Sequence, residues 1–406
     1  MSAGPRTRNT GIHTAARAEL VEMIAELGPT FAGRAVEYDR KALFPTENWA
    51  DLRAAGLLGI CIPTSEGGLG GDFVGYALVA EELGRHCAAT ALTFNMHVAT
   101  TLLVGQIGDD MDLTDAERSA LQQRRTKLRR GIVEDGMIHS QPFSEGISVG
   151  ATEGFATRAV PVDGGYRVTG RKIFASLSGA ADIHNVVCMV EGDSRVRLLG
   201  VPADAHGVTI EGDWDSLGMR ATDSRTLVLN DVFVPVEHEW IPPGMFDQAA
   251  LRWPYFYMTL SFAYLGLMRA ILDASAEYLI GADGPSERRD HPLKQQGWAA
   301  MNLKYDEAQS LCYRVLGEVG VDPSADAVRR AWSSVVSTME GAPELASTAI
   351  RICGGRSMLR PSRLEQYYRD SRCGAAMLPW SVEVCLERLG QSGLYPDEDH
   401  DPEAAT

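Results

Sequence analysis

Cysteine is scarce in this sequence. Seven occur in 406 residues, at Cys61, Cys87, Cys188, Cys312, Cys353, Cys373 and Cys385, with no Cys-x-x-Cys pair among them. The odd count and the scatter argue against a disulfide framework and a zinc ribbon, and no metal site is expected. Small buried hydrophobes in a reducing cytoplasm are expected instead. Positive charge is in deficit: 38 Lys and Arg face 54 Asp and Glu, a formal net charge of −16. Such a chain is repelled by phosphate backbones, which argues against nucleic acid as a partner. Long apolar runs are missing too. The longest uncharged one in the second half, Trp253 to Met268, is shorter than the ~20 residues of a membrane span. The opening MSAGPRTRNTGIHTAAR has no apolar signal core. A cytoplasmic protein without a membrane span is the expectation.

What is present divides by texture. Residues 1–14 read as a disordered lead-in. From 15 to 133, apolar residues recur at three- and four-residue steps, as in ELVEMIAELGPTFAGRAVEYDR and DFVGYALVAEELGRH, which predicts an N-terminal helical domain. Pro45 opens and Gly56 closes a shorter helix between them. From 134 to 244 come short β-branched runs, GYRVTGRKIFA, NVVCMVEG, RVRLLGVPA and TLVLNDVFVP, split by Gly, Asp and Ser. They predict a middle β domain, a small sandwich or barrel. From 245 to 392 helical patterns return and predict an antiparallel four-helix bundle. Residues 393–406 form an acidic tail, expected to be disordered. The fold class is α+β. The basic run LQQRRTKLRR at 121–130 reads as a solvated helix face balanced by the acids at 109–116, with phosphate or partner binding as the alternative.

Four segments carry a resemblance. LRAAGLLGICIPTSEGGLGGDFVGYALVAEELGRH resembles the N-terminal signature of the acyl-CoA dehydrogenase family, and GYRVTGRKIFASLSGAADIHNVV its middle-domain signature. SLGMRATDSRTLVLNDVFVP resembles its β-domain closing segment, and IRICGGRSMLRPSRLEQYYRDSR its C-terminal flavin and dimer segment. The resemblance implies an FAD flavoprotein, a homotetramer, that desaturates an acyl-CoA or acyl-carrier thioester. In that chemistry a carboxylate takes the α-proton while a β-hydride passes to flavin N5, and an electron-transfer flavoprotein accepts the electrons. Such a site needs positioned donors for the enolate oxygen and a desolvated base near the working pH.

Carried over residue by residue, the resemblance puts Ser140 where the family has a Thr that meets the flavin ring. The family's Thr-Glu-Pro is Ser140-Gln141-Pro142 here. Phe174 stands where an aromatic covers the flavin and Ser176 where a hydroxyl meets N5. The plainer readings are a core Phe174 and a turn Ser176. Gly354 and Gly355 match a Gly pair that lets backbone approach FAD from the partner subunit. Arg351, where a Gln is usual, either meets pyrophosphate or is exposed. SERRDHPLKQQGW keeps Gln296 and lacks the usual Phe-Gly. Arg288 or Arg289 supplies the pyrophosphate cation there, or forms a solvated pair.

The base is missing. The usual Glu position falls on Leu378, or with one gap on Pro379, and the alternative family position falls on Phe256. Glu383 is the nearest carboxylate, but Glu387 four residues on suggests a solvent face. Tyr255 and Tyr257 are expected to shape the substrate pocket or to bond a ligand. His97 and Asn95 border the substrate region in the family, although a lone His on an apolar helix is more often a satisfied core residue. Three functions remain open: an acyl-thioester dehydrogenase with an atypical base, a flavin-dependent monooxygenase on the same fold, which needs no α-proton base, and a non-catalytic subunit of a heteromeric dehydrogenase.

Overall fold

The computed structural model describes residues 11–146, 154–281, 287–360 and 362–395. The N-terminal helices are α1 (Ala15–Lys41), α2 (Thr46–Ala54), α3 (Phe73–His86), α4 (Ala88–Leu102) and α5 (Asp115–Asp135). Thr14 caps α1. Asp72 caps α3, accepting from Gly75 N–H at 2.8 Å, and so ends the Gly-rich loop. Arg17 holds the carbonyls of Gly11 and Ile12 at 2.9 Å, and Ile12 is buried. Residues 11–14 are therefore anchored, in contrast to the expected lead-in. Residues 1–10 lie outside the described set, as do 396–406 of the expected tail, and α12 reaches to Leu394.

Among the described residues seven strands follow: β1 (His139–Ser140), β2 (Arg158–Val162), β3 (Gly165–Ala175), β4 (Ile183–Val190), β5 (Val196–Pro202), β6 (Val208–Glu211) and β7 (Arg225–Pro235). They form one curled sheet in the order β1-β4-β2-β3-β7-β6, with β5 antiparallel on β4. Val186, Cys188, Leu199, Val201, Leu227 and Val234 fill its concave side. Ile183, Val187 and Leu198 join the helical core on the other. Both faces of β4 are thus covered, which is why its sequence does not alternate.

The C-terminal part holds α6 (Met245–Arg252), α7 (Leu260–Ile280), α8 (Glu287–Asp290), α9 (Pro292–Leu316), α10 (Ala325–Cys353), α11 (Arg363–Cys373) and α12 (Val382–Leu394). Helices α7, α9, α10 and α12 bundle together. The segment Pro254–Met258 is a 3₁₀ turn, so α7 starts later than the apolar run suggests. Helices α3 and α7 cross at backbone contact. A Cβ on Gly84 would sit 2.2 Å from the Ala263 carbonyl, and glycine is required there. Two helical stretches, Ala88–Ile107 and Pro254–Ile280, are long and apolar enough to cross a membrane. Most of each is buried inside the protein.

One ion pair ties the three parts. Arg369 on α11 grips Asp39 on α1 at 2.9 and 2.6 Å and donates to the Leu217 carbonyl of the β6–β7 loop at 3.1 Å. Arg220 of that loop bonds the Asp39 carbonyl. The basic run on α5 is neutralised mainly by other segments than expected. Arg124 pairs with Glu239, Arg129 with Glu66 and Arg130 with Glu134, and only Arg125 finds an acid in the 109–116 stretch, Asp109.

Candidate functional site

A narrow cavity of about 60 Å³ opens where α4, the segment after β1, the 3₁₀ turn and the start of α7 meet the turn before α12. Its lining is Asn95, Met96, Ala99, Gln141, Phe143, Phe256, Tyr257, Thr259, Leu260, Leu378 and Pro379. Both positions where the sequence places a base, Leu378 and Phe256, face this one space. Tyr257 is the sole titratable residue of the lining. Its ring packs on Phe256 and on Trp380, with centroids 5.8 Å away in each case. Tyr76 donates to Asn95 Oδ1 at 2.8 Å, which turns the Asn95 amide donors the other way. A larger depression, about 500 Å³, lies at the β2–β4 edge around Arg158, Met189 and Glu191. Its lining contains none of the sequence-predicted site residues.

Ser140 is buried, and its hydroxyl is 2.7 Å from His184 Nδ1. Burial pushes the His184 imidazole down to about 4, so it is neutral at pH 7. Beyond Ser140 the chain passes Gln141 and Phe143 in the cavity wall. Its Ser144 carbonyl then accepts from Ile173 N–H at 2.8 Å. That bond sets the segment beside the end of β3. There the register with β7 shifts between Lys172 and Ala175, and Phe174 adopts φ 52°. A β-bulge with a left-handed non-glycine residue is a strained device that re-aims a side chain. Phe174 is accordingly 65% exposed, and among the described residues its ring meets the edge of one other aromatic ring, Trp214. Ser176 follows, half-buried, with its hydroxyl 2.8 Å from Ser224 Oγ.

A buried pair that sequence reasoning missed holds both walls. Lys172 Nζ lies 2.8 Å from Glu145 Oε1 and 2.8 Å from the Val187 carbonyl. Glu145 also accepts from Thr157 N–H and Oγ1. Burial works to raise the Glu145 carboxyl, and the Lys172 charge with these bonds outweighs it and holds it below the ordinary range. The signal was strand parity: Lys172 shares its face of β3 with Val168, which is core.

The remaining candidates are dispersed. His97 is fully buried, with Nε2 on the Leu58 carbonyl at 2.9 Å and Nδ1 accepting from His139 N–H at 3.1 Å. It is a satisfied core residue outside the cavity lining. Tyr255 points inward against Trp253, its hydroxyl unpartnered, and is not in the lining either. The tighter 3₁₀ turn separates it from Tyr257. Glu383 is exposed in the first turn of α12, and Glu387, one turn on, is exposed as well. Arg289, Gln296, Arg351 and Gly355 are exposed, and Gly354 half-exposed with φ 81°. They gather where α8 and α9 meet the end of α10. Among the described residues, no hydrogen bond or ion pair joins this group to Ser140, Phe174 or Ser176.

The exposed, strained Phe174 beside an open hydroxyl is what a flat polar ring would cover, and the residues present fit a flavin there. Models of the acyl-CoA dehydrogenase N-terminal, middle and C-terminal domains match residues 14–110, 144–232 and 257–378. YdbM of Bacillus subtilis (strain 168), named as an acyl-CoA dehydrogenase, is 28% identical over 87% of this chain and 91% of its own. Dibenzothiophene monooxygenase of Rhodococcus erythropolis is 27% identical over 68% of this chain and 66% of its own. In fold, FMN-bound TdsC from Paenibacillus sp. A11-2, a dibenzothiophene monooxygenase, superposes with a TM-score of 0.81. It is 22% identical, and the match covers 93% of this chain and 97% of that one.

Proposed function

The chain belongs to the acyl-CoA dehydrogenase family of flavin-dependent oxidoreductases, and from that membership we propose that it is a flavin-dependent monooxygenase acting on a neutral aromatic ring compound. The observation that carries this reading is the cavity itself. Both base positions, Leu378 and Phe256, are hydrocarbon and line the same space, with no carboxylate, histidine or lysine among the lining residues. Abstraction of an α-proton needs a base within hydrogen-bond reach, and oxygen insertion needs none. When bound, reduced flavin supplies two electrons to dioxygen, one oxygen atom going to the substrate and the other to water.

The protein's own residues divide the remaining work. The cavity of about 60 Å³ is smaller than the ~150 Å³ that houses a benzene, so Phe143, Phe256, Tyr257 and Leu260 would part to take a ring between them and exclude water, and the Asn95 and Gln141 amides would orient its polar atom. Phe174 and Ser176 hold the flavin side; Ser140, fully buried with its hydroxyl on His184, supports the segment that leads there instead of meeting the ring. The proposed flavin is FAD. Its adenylate half would be met by Arg289, Gln296, Arg351 and the Gly354–Gly355 turn of a second copy, in a homotetramer, since one chain does not join the two groups. Cytoplasmic residence is proposed with it, on seven free cysteines.

A second reading, an acyl-thioester dehydrogenase passing electrons to an electron-transfer flavoprotein, draws on the nearly full-length match to YdbM. Two assays separate them. Anaerobic mixing with a panel of acyl-CoAs should leave the flavin absorbance unbleached. Aerobic turnover with reduced flavin should oxygenate dibenzothiophene or indole. Bleaching by any acyl-CoA would replace the first reading with the second.

A further inference from the structure

We propose that Thr222 and Ser224 are positioning residues that act through Ser176, fixing its hydroxyl as a hydrogen-bond acceptor toward the flavin and so favouring the reduced flavin over the oxidised one. The inference rests on the flavin reading above. Three hydroxyls stand in line. Ser176 Oγ is 2.8 Å from Ser224 Oγ, Ser224 Oγ is 2.7 Å from Thr222 Oγ1, and Thr222 Oγ1 is 2.9 Å from the Met219 carbonyl. Each hydroxyl owns one proton. A carbonyl only accepts, so the Thr222 proton goes to Met219. The 2.7 Å contact then takes the Ser224 proton, and the 2.8 Å contact takes the Ser176 proton. Any other assignment leaves lone pairs facing each other at hydrogen-bond distance. Thr222 and Ser224 are 1% and 5% exposed, which leaves little room for water to supply a proton from the side. Ser176, at the open end, turns only lone pairs outward.

The group that docks on Ser176 must therefore bring a donor. Phe174 lies two residues earlier, its carbonyl accepting from Ser176 N–H at 2.9 Å, and offers a flat apolar face at the same end of β3. The resemblance sets flavin N5 at Ser176. N5 of oxidised flavin is an acceptor, and N5 of two-electron-reduced flavin carries hydrogen. The polarised chain opposes the first and bonds the second, and the reduction potential rises accordingly.

The test is the reduction potential of the flavin-loaded protein, by spectroelectrochemical titration, in the parent and in Ser176→Ala, Thr222→Val and Ser224→Ala. Thr222→Val spares the turn, because the Met219 carbonyl keeps two donors, Trp214 Nε1 at 3.1 Å and the backbone N–H of residue 222 at 3.2 Å. It frees the Ser224 proton to turn toward Ser176, which reverses the chain. Ser224→Ala cuts it. In both, the preference for reduced over oxidised flavin should fall about tenfold, which is about 30 mV for a two-electron couple. Ser176→Ala should follow, with oxidised flavin still bound and thermal unfolding unchanged. A shift in Ser176→Ala alone, or in none of the three, overturns the relay. A parent protein that takes up neither FAD nor FMN overturns the flavin reading itself, and this inference with it.

Discussion

At the scale of single residues, Lys172 matters most to the site. Its ammonium is buried, at 0% side-chain exposure against 2% for Glu145, and it ties the segment behind Gln141 to the strand that aims Phe174. Removing one partner of a buried pair strands the other charge. Lys172→Ala should therefore cost about 3–5 kcal/mol in urea unfolding, and flavin affinity should fall with it. Glu383 is the opposite case. It is exposed and is not among the residues that line the cavity. Glu383→Gln should leave turnover unchanged, and a loss of about 10²-fold with flavin bound would make it the base after all. Leu378 and Phe256 were legible because motif spacing set their places, and the structure brings both to one cavity. His97 and Tyr255 were legible as candidates only, because spacing does not say which way a ring points. The partner of Lys172 was not legible, since it lies 27 residues away and a strand pattern does not name cross-loop contacts.

Among elements, α11 is the most instructive. Asp370 sits on it, buried, accepting from Met219 N–H at 2.6 Å and from Gln366 Nε2 at 3.3 Å. Burial, with the nearby Asp39 charge, pushes its carboxyl up to about 7, against the Met219 and Gln366 bonds and the Arg369 charge. Gln366 Oε1 is buried without a partner, and an amide turned by half a rotation would let it accept the Asp370 proton. The folded value lies above the unfolded 3.8. This site's contribution is therefore fully present below 3.8 and is lost as pH rises to about 7. Asp370→Asn removes that loss. Its melting temperature relative to the parent should improve steadily as pH is raised across this window, and a constant difference would refute the buried proton. The helices and strands themselves were largely readable as periodic runs. The 3₁₀ turn at Pro254–Met258 was not, because an aromatic run leading into a helix reads as its first turn. The curled sheet was readable as a small sandwich or barrel, but the covering of β4 on both faces was not, since its run carries no alternation.

For the molecule as a whole, three neutral buried imidazoles set the acid side. Burial lowers His97 to about 4, His139 to about 3 and His184 to about 4, from 6.5. The unfolded chain takes up protons that the fold refuses, so stability should fall as pH drops from 6.5 toward 4. Denaturant midpoints across that range measure it, and a flat profile would mean the rings are reached by water. Light scattering should return a multiple of 44.0 kDa, and a monomer at micromolar concentration would remove the second copy from the flavin site. The three-way clamp at Asp39 has a consequence in time. Its partner Arg369 is 330 residues further along. At about 5–20 residues per second, synthesis leaves Asp39 waiting on the order of tens of seconds for the guanidinium that completes it. Until α11 emerges, the Leu217 loop and the end of α1 are held to each other through Arg220, without the guanidinium that locks them. A chain stalled in that interval presents a folded front and an open seam, and the seam is where a chaperone or a protease would meet it first.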